Sequence, residues 1–269
     1  VYKCLPFDYK VYDCIQRSQE PVEFDTLQIN LYRRVFMSYL KNVQVEGKRL
    51  LMEAALNLAA NTRSLDAFSL RELARNAGLN PNTFYRHFKD FDELGLAIID
   101  EVTDQIRQPL RDLRREAAES VVPAGSPPIS WQENPRLNFV RSLQVNNATV
   151  ELFFAFVESN PEAFIVGVRE LHGSSPVLRK ALRKLMQGFA HDMAEDIEVL
   201  GLLPKLDPAS LLSVSEAISR EMFHLSMNYI EEPERRDEVC QQAVASIVNL
   251  TMGSAVIAGH VELLADALR

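Results

Sequence analysis

Between Asn80 and Lys89 the chain reads NPNTFYRHFK, and seven of these ten side chains can donate or accept hydrogen bonds. Arg86, His87 and Lys89 offer N–H groups suited to anionic oxygens, while Asn82, Thr83 and Tyr85 can both donate and accept. No carboxylate and no nucleophile–base pair stands among them, so the chemistry on offer is recognition rather than bond making. Phe84 and Phe88 lie four apart, which on a helix turns both rings to one face. Burying that face leaves the polar groups on outward or flanking surfaces. Asn80 is suited to cap such a helix, and Pro81 suits its first position because the missing N–H would be unpaired anyway.

Two preceding elements must position this helix. In SLRELARNAG, Ser69 followed three residues later by Glu72 reads as a capping box, and Gly78 reads as a left-handed stop. Leu70, Leu73, Ala74 and Ala77 supply the buried side. Upstream, from Glu46, Leu50, Leu51, Ala54, Ala55, Leu58 and Ala59 form the apolar face of a helix ending near Asn61. Two short helices joined by a tight glycine turn are a helix-turn-helix. A second helix of this kind enters a DNA major groove by its N-terminal end, which places Asn82 and Thr83 at base edges. Arg86, one turn on, reaches a base or a phosphate, and Tyr85, His87 and Lys89 suit backbone oxygens. Ser69, Arg71 and Asn80 complete the candidate DNA-binding set. Charge agrees with this: the chain carries −8, yet residues 41–90 hold eight Lys and Arg against five Asp and Glu, a local +3 that leaves −11 elsewhere. The bland alternative is a small three-helix core with a polar surface.

The rest of the chain reads as all-α. Apolar residues recur every three or four positions, glycine is scarce at 10 of 269 residues, and hydrophobic content is an ordinary 47%. The expected organisation is an N-terminal extension over 1–45, a helix-turn-helix domain over 46–92 and a larger helical domain over 93–269. The segment before Met37 reads either as an upstream extension or as a partly ordered arm. Asp92 can cap a long helix running to Ala117, with a kink at Pro109. Residues 119–136 hold four prolines and Trp131, the single tryptophan, and read as a loop. Further helices are expected over 144–159, from Asn160-Pro161 to Gly173, over 176–200, after Asp207-Pro208, and over most of 235–260. Cys4, Cys14 and Cys240 form no zinc spacing, which points to a reduced, cytoplasmic setting. Val239 to Val261 lacks formal charge but holds too many polar groups for a membrane span, so it reads as a helix buried between protein surfaces.

In the larger domain Phe153, Phe156, Val157, Phe164, Val168, Phe189, Met193, Met222 and Phe223 are candidates to line an apolar pocket, with Leu171, Leu185 and Tyr229 nearby. Each of them would serve equally well as plain core. Arg169, Arg179, Lys180, Arg183 and Lys184 could neutralise a ligand phosphate or simply form a solvated helix face. The small residues of the last long helix suit a dimer interface, or a helix buried within one subunit. His191 and Glu195 share a helix face with Asp192 neighbouring, but too few ligands accompany them for a metal site. No catalytic motif is present, so the expectation is a binding protein without metal or cofactor.

The stretches EAALNLAA and FSLRELARNAGLNPNTFYRHFKDFDEL resemble the DNA-binding domain of TetR-family transcriptional regulators. Within that family they look most like the FabR and DesT repressors of unsaturated fatty acid synthesis, with a weaker echo in FVESNPEAFIVGVRELHGSSPVLRKAL. The resemblance implies a cytoplasmic homodimer on a palindromic double-stranded DNA operator, its recognition helices roughly 34 Å apart. It also implies a small apolar effector, an acyl-CoA in the FabR and DesT group. The alternatives are a regulator of efflux or another pathway answering a different apolar or aromatic ligand, and a helical interaction protein without DNA binding.

Overall fold

The computed structural model describes residues 46–62, 64–120 and 130–268, and among them every regular element is helical. The expectations for residues 1–45, and for most of the proline-rich segment, lie outside the described residues. The helices are α1 (Glu46–Thr62), α2 (Leu70–Asn76), α3 (Pro81–His87), α4 (Phe91–Ser120), α5 (Pro135–Ser159), α6 (Pro161–Glu170), α7 (Pro176–Leu200), α8 (Pro208–Glu231), α9 (Arg236–Ile257) and α10 (Val261–Ala267), with a 3₁₀ turn at Pro233–Arg235.

Five of these helices start on a polar residue followed by proline: Asn80, Asn134, Asn160, Ser175 and Asp207 precede Pro81, Pro135, Pro161, Pro176 and Pro208. Four of the five polar side chains accept a backbone N–H of the first turn. Asn160 departs from the expected cap. Its amide donates to the Phe156 carbonyl at 3.0 Å, closing the end of α5 instead of opening α6. The same signal corrects another boundary. Asn134-Pro135 opens α5 nine residues before the expected start at 144, so the helix begins inside the segment read as loop. Helix α4 is likewise capped by Asp90, whose Oδ1 accepts the Glu93 N–H at 2.9 Å, and not by Asp92. It runs through Pro109 as one helix of 30 residues.

Helices α1 to α3 close around Leu51, Ala55, Leu73, Phe84 and Phe88, and the start of α4 adds Leu94 and Ile98 to that core. Below it, α4 lies against α5 and α7, and α8 packs on α7 and α9. Arg141 on α5 pins this arrangement by donating to the last carbonyls of two helices, Ala118 at 2.9 Å and Leu200 at 2.8 Å. Trp131, immediately ahead of α5, is buried and donates its indole N–H to the Gly201 carbonyl at 3.0 Å.

Candidate nucleic-acid interface and interior cavity

The turn before α3 has the backbone the sequence requires. Gly78 adopts φ +67°, a left-handed conformation that a side chain would strain, and the Leu79 N–H reaches back to the Ala74 carbonyl at 2.8 Å. Ser69 Oγ accepts the Glu72 N–H at 3.2 Å, and Asn80 Oδ1 accepts the Asn82 N–H at 2.9 Å. Phe84 and Phe88 are 1% and 3% exposed, and Phe84 meets Phe88 and Phe91 with ring centroids within 5.7 Å. Those rings fix the rotation of α3. Asn82, Tyr85, Arg86 and Lys89 consequently face out, with Tyr85 67% exposed. Ser69, Arg71 and Asn80 are exposed beside them.

Thr83 and His87 are half-buried because they lie against the N-terminus of α1. A Cβ at Gly47 would stand 3.1 Å from His87 Nε2 and 3.7 Å from Thr83 Cγ2, so any side chain there would press on the His87 ring. Lys48 Nζ stands 5.9 Å from the Phe88 ring centroid, which keeps a further cation beside the surface. Gly47 and Lys48 were not singled out in the sequence, because nothing local marks a close approach between helices 35 residues apart.

A cavity of about 120 Å³ occupies the interior between α4, α5, α6, α7 and α8. Phe153, Phe156, Phe164, Phe189, Met193, Met222 and Phe223 line it, as does Leu185. Two of the expected lining residues are placed elsewhere. Val157 is fully buried in the core without lining the cavity, and Val168 lines a surface groove next to it. Tyr229 stacks on Phe154 at 4.6 Å under the Arg236 guanidinium. The largest contribution missing from the sequence reading is α4, which supplies Ile98, Ile99, Val102, Ile106, Leu110 and Arg114.

The cavity reaches the junction between the head, α1 to α3, and the body, α4 to α10, where Leu65, Gly95, Glu170 and Leu178 form its wall. That junction is tightly built. The Leu65 N–H donates to Glu170 Oε1 at 2.8 Å, and Arg169 Nη1 donates to the Ala60 carbonyl, near the end of α1, at 2.7 Å. Ser175 Oγ donates to Asp92 Oδ1 at 2.6 Å. A Cβ on Gly95 would fall 2.7 Å from Leu178 Cδ2, so α4 and α7 touch here without room for a methyl group.

Farther down, α4 and α7 are joined by a ladder of ion pairs. Arg107 pairs with Asp192, Arg111 with Asp192, Glu195 and Asp196, and Arg114 with Asp196. Asp192 and Glu195, considered above as metal ligands, are thus engaged by guanidinium groups, and His191 is exposed beside them. Arg114 is 5% exposed, and burial lowers its pKa while the Asp196 carboxylate opposes that shift. Of the basic residues considered as phosphate ligands, Arg169 and Arg179 donate to backbone carbonyls, whereas Arg183 lines the surface groove with Arg220, His172 and His224.

A helix-turn-helix with a polar outward surface is thus tied through one long helix to an all-helical body that holds an apolar cavity. Residues 51–98 match the model of the bacterial regulatory proteins, tetR family. That match covers the helix-turn-helix of α1 to α3 and the start of α4. Solved structures share its fold. A TetR-family regulator from Syntrophomonas wolfei superposes with TM-score 0.56 at 14% identity, covering 77% of this chain and 96% of its own. The fatty acid degradation regulator FadR from Bacillus halodurans gives 0.54 at 14%, covering 78% and 97%. FadR from Bacillus subtilis in complex with stearoyl-CoA gives 0.51 at 15%, covering 76% and 98%.

Proposed function

We propose that this protein is a ligand-responsive repressor that binds a palindromic operator as a homodimer and controls genes of lipid metabolism, in particular unsaturated fatty acid synthesis. Asn82 and Thr83 read base edges, Arg86 contacts a base or phosphate, and Tyr85, His87 and Lys89 with Ser69, Arg71 and Asn80 hold the duplex backbone. The observation that carries ligand control is the cavity wall at Leu65, Gly95, Glu170 and Leu178, where an apolar ligand would touch the elements that hold the head. A ligand preferring another spacing of α4 against α6 and α7 would shift the population away from the operator-binding form.

The effector in this reading is an acyl-CoA. Its chain needs more room than about 120 Å³, a volume near that of engineered cavities that accept benzene. Met186 and Phe223 border both the cavity and the groove that holds Arg183 and Arg220, so displacing these two side chains would join the spaces. The dimer forms through α8 and α9. Helix α9, with the turn before it, is long and apolar enough to cross a membrane, yet only 28% of its most apolar 18 residues are buried within one subunit. Val256 and Ile257 are 46% and 88% exposed, and a second copy would cover such a face.

Capture of fragments from the source genome, followed by titration with salt and with palmitoyl-CoA, tests the reading. The expected result is retention of a palindrome beside lipid genes, affinity that falls steeply with salt, and release by the thioester. Retention that ignores palmitoyl-CoA but responds to an aromatic compound would contradict the lipid assignment.

A further inference from the structure

The cavity is apolar except for five polar side chains on its lining, and four of these are engaged. Thr103 Oγ1 donates to the Ile99 carbonyl, Ser219 Oγ to the Met186 carbonyl at 3.1 Å, Glu170 accepts from Leu65, and Arg114 is paired with Asp196. The fifth is Thr149, whose Oγ1 is buried and without a partner. Ser215 is the other buried hydroxyl without one among the described residues, and it does not line the cavity. Thr149 on α5 and Arg114 on α4 line the same cavity, and these two helices pack against each other.

A buried hydroxyl with no partner opposes folding, because it loses its bonds to water and gains none. On the wall of a cavity that cost becomes a source of specificity, since a ligand can supply the missing bond. Charge restricts the ligand further. The two charged side chains on the lining are Glu170, a carboxylate, and Arg114, already paired with Asp196, so a further buried anion would stand uncompensated. We infer that the Thr149 end of the cavity is a specificity site for one neutral hydrogen-bonding group, a hydroxyl or carbonyl, carried by an otherwise apolar ring or chain. The inference rests on the cavity being the effector site and adds the chemistry of the buried part of the ligand.

Phenol and toluene test it, because they exchange a hydroxyl for a methyl group at nearly constant size, and benzoate adds the charged case. Titration calorimetry of the full-length protein and of Thr149→Val, which keeps the shape and removes the hydroxyl, gives the ratio of toluene to phenol dissociation constants. That ratio is expected to fall at least fivefold in Thr149→Val, with benzoate binding more weakly than phenol to the native protein. The unliganded Thr149→Val protein is expected to melt at a higher temperature than the native one. An unchanged ratio overturns the inference, as does a failure of both phenol and toluene to bind. Retention of genomic DNA, measured separately, is indifferent to these outcomes, so the site can fail while the regulatory reading stands.

Discussion

The head and the body of this molecule solve opposite problems with the same aromatic residue. In the head, Phe68 meets Phe91 edge to face and Phe84 packs at a tilt on Phe88 and Phe91, and this close packing turns polar groups outward. In the body, Phe153, Phe164 and Phe223 also meet one another, but around a cavity that they do not fill. Close-packed interiors transmit displacement without absorbing it, whereas a cavity lets its lining rearrange at low cost. The head is thereby suited to present a fixed surface, and the body to answer a ligand. Glu170 and Leu178 belong to both, since they line the cavity and hold the head.

Breaking either side of this contrast should give distinct signatures. The largest effect is expected for Phe84→Ala, which deletes a ring that is 1% exposed and should cost about 3–5 kcal/mol of stability, abolishing operator binding. Chemical denaturation would read this directly, and a loss below about 1 kcal/mol would show that the ring does not fix α3. Arg114→Met comes next, at about 3 kcal/mol, because it leaves a buried Asp196 with Arg111 as its remaining partner. Its defect should lie in the body, with the head still protected from amide exchange; equal loss in both would dissolve the distinction between them. Glu170→Ala is the smallest in stability, about 1–3 kcal/mol for an orphaned Leu65 N–H, yet it should have the largest effect on coupling. Operator affinity without ligand should change little, while the response to ligand weakens, and a full ligand response would remove Glu170 from the coupling path.

The head was legible in the sequence because each of its devices is local. Ser69, Gly78, Asn80-Pro81 and the Phe84–Phe88 pair each act within a few residues and take up the expected local geometry, although Ser69 caps the Glu72 N–H without the return bond from Glu72 that a full capping box has. The cavity was half legible. The phenylalanines on α5 to α8 stood out by type, but Ile98, Val102 and Leu110 of α4 read as ordinary core, since which neighbour a helix face meets is a long-range property. Val157 and Val168 illustrate the same limit: both are apolar and stand on helices that line the cavity, yet one turns into the core and the other into the surface groove. The start of α5 is legible in Asn134-Pro135, which repeats the signal that opens α3. The ion-pair ladder could not be read, because its partners lie more than 80 residues apart.

The most direct test concerns the outward face of α3. Affinities of the native protein, Thr83→Ala and Lys89→Ala should be compared on the captured operator and on a scrambled duplex of equal length. Thr83→Ala is expected to lower the preference for operator over scrambled DNA by roughly tenfold while leaving scrambled binding intact, and Lys89→Ala should weaken both duplexes alike. Equal losses from the two substitutions on both duplexes would contradict the division into a base-reading position and a backbone anchor.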